Sequence, residues 1–188
     1  MTQFYLVRHG TSDWNALSNE ATLRGARRDF VPLSSQGIEE SFQLSQDERL
    51  RSANIIISSP YTRALQTAAI ISQRHNIPLH VEYYLHEWLP DVTFQFEGCN
   101  RGEYESVAHL VDEYHEHDGI RPMNGHALWE ERKTVRSRSL SVLERYLDYR
   151  SVVVVTHGMV IQSLADVAHI PPCGVVPFDG PWRCKNPM

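Results

Sequence analysis

The sequence is short of the features that mark several protein classes. Its 188 residues include three cysteines, Cys99, Cys173 and Cys184. An odd number with no CxxC spacing excludes a disulfide framework and a structural zinc site of the ordinary pattern. No apolar run approaches the roughly 20 residues that cross a bilayer. The start, Met1-Thr2-Gln3 and then Phe4-Tyr5-Leu6-Val7, lacks the basic head and apolar length of a signal peptide. A cytoplasmic enzyme of a reducing compartment is the expectation. Positive charge is also in deficit, with a net charge of -5, which argues against a general nucleic-acid binder because phosphate backbones select basic surfaces. There is no Gly-x4-Gly-Lys-Ser/Thr phosphate loop and no Gly-x-Ser-x-Gly elbow. The adjacent Ser58 and Ser59 therefore do not indicate a serine hydrolase. Repeats and low-complexity tracts are absent.

What remains is ordinary globular material, 41% hydrophobic and 22% charged, sized for one domain over residues 1–188. Three apolar runs, residues 4–7, 55–57 and 152–155, read as buried strands, and residues 79–81 as a fourth. The runs are continuous rather than alternating, so these strands are expected to be covered on both faces. Helical spacing fills the gaps: from a cap at Ser34 or Ser35 to about Leu50, then residues 61–75, 104–117, 128–149 and 158–168. Strands alternating with helices predict an α/β fold, a three-layer α/β/α arrangement around a mostly parallel sheet. Residues 89–102, with Pro90, Asp91, Gly98, Phe94 and Phe96, read as a loop or lid. Residues 171–188 carry five prolines and read as irregular.

Three strand ends carry the chemistry. The first strand runs into Arg8-His9-Gly10-Thr11-Ser12, and the strand at 152–155 runs into Thr156-His157-Gly158. In open α/β sheets ligands bind at the carboxyl edge of the strands, and a glycine after each histidine permits a tight turn. The third strand ends in Ser58-Ser59-Pro60-Tyr61-Thr62-Arg63, placing an arginine in the first turn of a helix, where anions are favoured. A guanidinium there presents a donor fork suited to a phosphoryl group. Arg24, Arg27 and Arg28 add cationic side chains nearby in sequence. The histidines of the 104–117 segment, His109, His115 and His117, do not share one helix face with enough carboxylates to hold a metal.

The segment Leu6-Val7-Arg8-His9-Gly10-Thr11-Ser12-Asp13-Trp14-Asn15 resembles the N-terminal signature of the histidine phosphatase superfamily, also called phosphoglycerate mutase-like. The resemblance continues through Pro32-Leu33-Ser34-Ser35-Gln36-Gly37, Ser58-Ser59-Pro60-Tyr61-Thr62-Arg63-Ala64-Leu65-Gln66-Thr67-Ala68 and Val155-Thr156-His157-Gly158. It implies a phosphoglycerate mutase-like fold and, residue by residue, a set of roles. His9 is the implied nucleophile. Arg8, Arg63 and His157 are the implied ligands of the phosphoryl oxygens, helped by Asn15. Glu87, in Leu85-His86-Glu87, stands where the family keeps its acid, with Glu82 and Glu97 as rivals. Gly10, Thr11, Ser12, Gly158 and Arg28 complete the expected substrate-binding set. Thr11 departs from the commoner Glu or Gln, and Gly125-His126-Ala127 replaces the usual Gly-Glu-Ser. Trp14 and Trp88 are candidate pocket walls.

Fixed positive donors stabilise a phosphoryl group in flight, so this set needs no metal or other cofactor. The expected reaction is hydrolysis of a small phosphomonoester through a phosphohistidine on His9. A cofactor-dependent phosphoglycerate mutase is the alternative, and a non-catalytic phospholigand- or protein-binding module of the same fold a second. The interval of 69 residues between Glu87 and His157 is compact, which favours the phosphatase. The expected partner is a small phosphorylated metabolite rather than nucleic acid or membrane, and a homo-oligomer is compatible with the sequence.

Overall fold

The computed structural model describes residues 2–17, 27–93, 101–123 and 127–181, with Arg27 and residues 101–106 described by their backbone alone. Five strands form one sheet: β1 (Gln3–Arg8), β2 (Ile55–Ser58), β3 (Leu79–Val81), β4 (Ser151–Thr156) and β5 (Val175–Phe178). Their order is β3-β2-β4-β1-β5. The first four are mutually parallel and β5 runs antiparallel to β1.

The continuous apolar runs are explained by two cores. Successive side chains of a strand point to opposite faces. Phe4, Leu6, Ile55, Ile57, Val152 and Val154 pack on one side with Trp88, Trp129 and the apolar faces of α5 (Arg101–Glu116), α6 (Arg132–Glu144) and α7 (Gly158–Leu164). Val7, Ile56, Val153 and Val155 pack on the other with α2 (Ser35–Leu44), α3 (Glu48–Arg51) and α4 (Thr62–His75). Each fully buried aliphatic side chain in these layers contributes about 1.5–3 kcal/mol. This is the expected three-layer, mostly parallel α/β/α arrangement. Among the described residues, no helix is long and apolar enough to cross a membrane.

The structure corrects several expected boundaries. The helix expected to reach Leu50 is two helices: α2 is capped by Ser34, whose Oγ accepts from Gly37 N, and Asp47 caps α3 by accepting from Arg49 N. A cap inside a periodic stretch offers the backbone an alternative to continuing. The fourth and fifth expected helices, 128–149 and 158–168, are shorter, as α6 and α7. The expected loop 89–102 gives way to helix at Arg101, and its residues 94–100 lie outside the described residues. The C-terminal segment is not irregular throughout, because Val175–Phe178 forms the edge strand β5. Pro177, paired with Tyr5, is tolerated there, since an edge strand has one side without a ladder donor to supply.

A short helix, α1 (Arg27–Phe30), precedes α2, and one 3-10 turn, Tyr83–Leu85, follows β3. Both border the carboxyl edge of the sheet. Beneath that edge, the loop after β1 lies against the start of α2. A Cβ on Gly37 would stand 2.0 Å from the Thr11 carbonyl oxygen, and one on Gly10 would stand 2.5 Å from the Gly37 oxygen. Two backbones meet there at a distance only glycine allows.

Candidate active site

Sheet order sets the site. β1 and β4 are neighbours with Arg8 level with Thr156, so His9 and His157 leave adjacent parallel strands side by side. Their ring centroids are 5.0 Å apart, edge to face. β2 flanks β4 on the other side with Ser58 level with Val155, which brings Ser59 beside His157 and starts α4 with Arg63 over the strand ends. Sequence reading anticipated this convergence of His9, Arg8, Arg63 and His157.

His9 is buried, and its Nδ1 lies 2.7 Å from the Gly10 carbonyl oxygen. A carbonyl only accepts, so Nδ1 carries the ring proton and Nε2 keeps its lone pair. Arg63 Nε donates to that same Nε2 at 3.1 Å. Burial, then the Arg63 and Arg8 charges, lower the His9 pKa to about 3, with the Gly10 hydrogen bond opposing them. The imidazole is therefore neutral at physiological pH.

His157 is fully buried. Its Nε2 is 2.7 Å from Ser59 Oγ, and its Nδ1 has no hydrogen-bond partner among the described residues. Burial, followed by the charges of Arg63, His9, Arg28 and His86, pushes its pKa well below the usual histidine value. Ser59 Oγ also accepts from Tyr61 N at 3.3 Å.

Arg63 is buried. Besides His9 it reaches the Arg28 carbonyl oxygen through Nη1 at 2.7 Å. Its guanidinium lies 5.1 Å from the Tyr61 ring and 5.4 Å from that of Trp14, within cation–π range. Burial and the Arg28 charge lower it to about 10, against the opposing pull of Glu87, Tyr61 and Asp29, so it stays a cation. Arg8 donates from Nη1 to the Ile170 carbonyl at 2.6 Å, while its buried Nε has no partner among the described residues. It passes Gly158 in ordinary contact, its Nε 3.7 Å from the position a Cβ would take.

Glu87 follows the turn after β3, half-buried, with Oε1 accepting from Trp88 N at 2.8 Å. It stands close enough to Arg63 to raise that group's pKa. Its rival Glu82 is committed elsewhere, to Arg145 and the Tyr146 hydroxyl. Glu97 lies outside the described residues. Arg28 donates from Nη2 to the Trp88 carbonyl at 2.7 Å, tying α1 to the segment that carries Glu87. Arg24 and the Gly125-His126 pair lie outside the described residues.

Other expected contact residues are placed differently. Thr11 N and Oγ1 both bond the Glu40 carboxylate, at 2.8 and 2.9 Å. Gly10 N donates to Thr67 Oγ1 at 3.2 Å. Both residues are thus engaged in joining the β1 loop to α2 and α4. Ser12 pairs with Leu33 in an isolated antiparallel bridge, and its Oγ is buried without a partner among the described residues. Asn15 is exposed on a turn whose backbone is held by the Asp13 carboxylate. Trp14 stands beside Arg63, whereas Trp88 is core.

Sequence reasoning missed Ser59, Tyr61, Asp29 and His86 as members of this region. Burial pushes the Asp29 carboxyl up while its hydrogen bond with Tyr61 and the charges of Arg28 and Arg63 pull it down. The His86 ring is 6.3 Å from that of Tyr61. Ser59 had one available signal: it directly follows a strand whose neighbour ends in a histidine.

Solved structures share this fold. A mycobacterial glucosyl-3-phosphoglycerate phosphatase described as complexed with VO3 superposes with a TM-score of 0.71 at 20% identity, covering 94% of this chain and 90% of that one. Bacillus stearothermophilus YhfR gives 0.70 at 23% identity, covering 94% and 90%. Among curated relatives, the probable phosphoglycerate mutase GpmB of Salmonella typhi is 28% identical over an alignment of 213 positions, covering 90% of this chain and 95% of the relative. Residues 4–175 match the family model described as histidine phosphatase superfamily (branch 1). The chain belongs to that superfamily.

Proposed function

We propose that this protein is a metal-independent phosphoric monoester hydrolase that acts on a small phosphorylated metabolite through a phosphohistidine on His9. One observation carries the reading. His9 donates from Nδ1 to Gly10 and presents an unprotonated Nε2 to the Arg63 guanidinium, the protonation state a nucleophile at phosphorus requires.

The reaction follows from the groups at hand. His9 Nε2 attacks phosphorus and the ester P–O bond breaks. Glu87, protonated, gives its proton to the departing alkoxide. The imidazole gains positive charge as the N–P bond forms, and the Gly10 carbonyl at Nδ1–H stabilises it. Arg63, Arg8 and His157 meet the charge spread over the phosphoryl oxygens. Two of these carry buried nitrogens unpaired among the described residues, Arg8 Nε and His157 Nδ1. Ser59 Oγ accepts from Tyr61 N and, in the tautomer this reading requires, gives its hydroxyl proton to His157 Nε2 as a hydrogen bond, so that the ring proton sits on Nδ1. In the second half, Glu87 takes a proton from water, the water oxygen attacks phosphorus, and the N–P bond breaks to release inorganic phosphate.

Substrate panels that compare sugar phosphates, phosphoglycerates, phosphoserine and nucleotides by kcat/KM test the hydrolase reading. Replacing His9 by Ala is expected to abolish both turnover and acid-labile labelling from a phosphorylated substrate; unchanged turnover would remove His9 from the mechanism. EDTA is expected to leave activity intact, and a loss restored by zinc or magnesium would count against metal independence. The alternative, mutase activity, is favoured by the Salmonella relatives, which are named probable phosphoglycerate mutases. Mutase turnover with 2,3-bisphosphoglycerate, without comparable hydrolysis of phosphomonoesters, would establish it instead.

A further inference from the structure

Glu87 sits on a segment with little secondary structure of its own: one 3-10 turn before it and no helix or strand directly after it among the described residues. What holds the segment is an ion pair on the far side of the backbone. Arg138, on α6, donates from Nε to Glu130 Oε1 at 2.7 Å and from Nη2 to Oε2 at 2.9 Å. The two side chains are 9% and 5% exposed. The rest of the guanidinium fork is spent on the acid segment's carbonyls, Nη1 on Tyr84 at 2.5 Å and Nη2 on Glu87 at 3.4 Å.

Glu130 closes the arrangement from the other end. Its carbonyl accepts from Trp88 Nε1 at 2.8 Å. Its N–H donates to the Leu89 carbonyl at 2.8 Å, and its Oε2 accepts from Leu89 N at 3.4 Å. The Tyr84, Glu87 and Leu89 carbonyls, the Leu89 N–H and the Trp88 indole are therefore all tied to Arg138 or Glu130. Removing two charges from water costs about as much as their attraction returns, so such a pair is weak evidence of stabilisation. A bidentate fork does fix direction, and a proton donor must be fixed within hydrogen-bond reach of a leaving oxygen. Neither side chain bonds His9, Arg63 or His157.

We propose that Arg138 and Glu130 are positioning residues that hold Glu87 in register with the leaving-group oxygen. This rests on the reading of Glu87 as the proton donor. Protonation of the leaving group matters for an alkoxide and scarcely at all for a good phenolate. Variants Arg138→Met and Arg138→Met/Glu130→Gln should therefore lose selectively. Against glycerol phosphate, kcat/KM is expected to fall about tenfold or more, and against 2,4-dinitrophenyl phosphate less than about threefold. In a Glu87→Gln background the further loss on glycerol phosphate is expected to stay below about threefold, because both changes remove one function.

Equal losses on the two substrates, or full additivity with Glu87→Gln, would overturn the proposal. Should either variant fail to fold, Arg138→Lys keeps the charge pair but loses the fork. The same selective loss is then expected, and equal losses or none again overturn the idea. Acid-labile labelling of His9 in the unaltered protein separates the two levels. Its absence sinks the reading of the site, whereas labelling with no selective loss sinks the positioning role alone.

Discussion

Ser59 Oγ lies 2.7 Å from His157 Nε2 with both side chains fully buried. The pair joins the ends of β2 and β4 and leaves Nδ1 as the nitrogen unpaired among the described residues. Removing the hydroxyl strands a buried ring nitrogen, at a cost of about 1–3 kcal/mol. Ser59→Ala is expected to lower the unfolding free energy by that amount and kcat by about tenfold or more. Ring 15N chemical shifts should report a proton on His157 Nδ1 in the unaltered protein and a mixture of tautomers in the variant. An unchanged tautomer would remove Ser59 from the role.

Glu82 and Glu87 look alike as sequence candidates, and the structure separates them. Glu82 is bonded by Arg145 and Tyr146, so Glu82→Gln should cost about 1–3 kcal/mol of stability while kcat/KM stays within a small factor. Glu87→Gln should do the reverse, lowering kcat on alkyl phosphates by about 10²–10⁴-fold with a small change in Tm. Urea unfolding and steady-state kinetics on both variants check this, and an inverted pattern would reassign the acid.

Stability should fall on mild acidification. The unfolded chain binds a proton at His9 near the ordinary histidine value of about 6.5, while the folded chain resists protonation until about 3. A group with a depressed folded pKa contributes fully above its unfolded value, and that contribution is lost as pH drops toward the folded value. Between pH 8 and pH 5 His9 alone accounts for about 2 kcal/mol, and His157 acts in the same direction. Guanidinium unfolding across this range should show the decline. The slope should shrink in a His9→Asn/His157→Asn variant; an unaltered slope would show that other groups dominate.

Gly37→Ala should damage a site that Gly37 does not touch. Its Cβ would collide with the Thr11 carbonyl, two residues beyond His9, so backbone must move. A loss of about 3 kcal/mol or more is expected, together with reduced kcat in whatever remains folded. Thermal unfolding near the value of the unaltered protein would refute the steric account.

The central strands were legible because Ile55, Ile56, Ile57 and Val152 to Val155 are apolar on both faces, a pattern that only a twice-covered sheet requires. The ends of β1, β2 and β4 were legible because chemistry-bearing residues follow at once. What escaped depends on tertiary placement. Val175 and Val176 beside Pro177 look unstructured until β1 offers an edge. Asp29 and His86 gain meaning only from what folds over them. Gly10 and Thr11 sit in the signature, yet their bonds to Thr67 and Glu40 concern the scaffold, a distinction no spacing reveals.

The position of β1 in the sheet has a consequence for biosynthesis. Of the five strands of this sheet, the first to leave the ribosome lies between β4 and β5, the last two of the five to be made. Until those C-terminal strands emerge, β1 has neither neighbour. The nascent chain must hold an apolar strand with open edges through most of its synthesis, the condition under which chains aggregate or recruit chaperones. Long-range parallel pairing of this kind is also slow. His9 and His157 meet only when it is complete, so a truncated or half-folded chain should show no turnover at all.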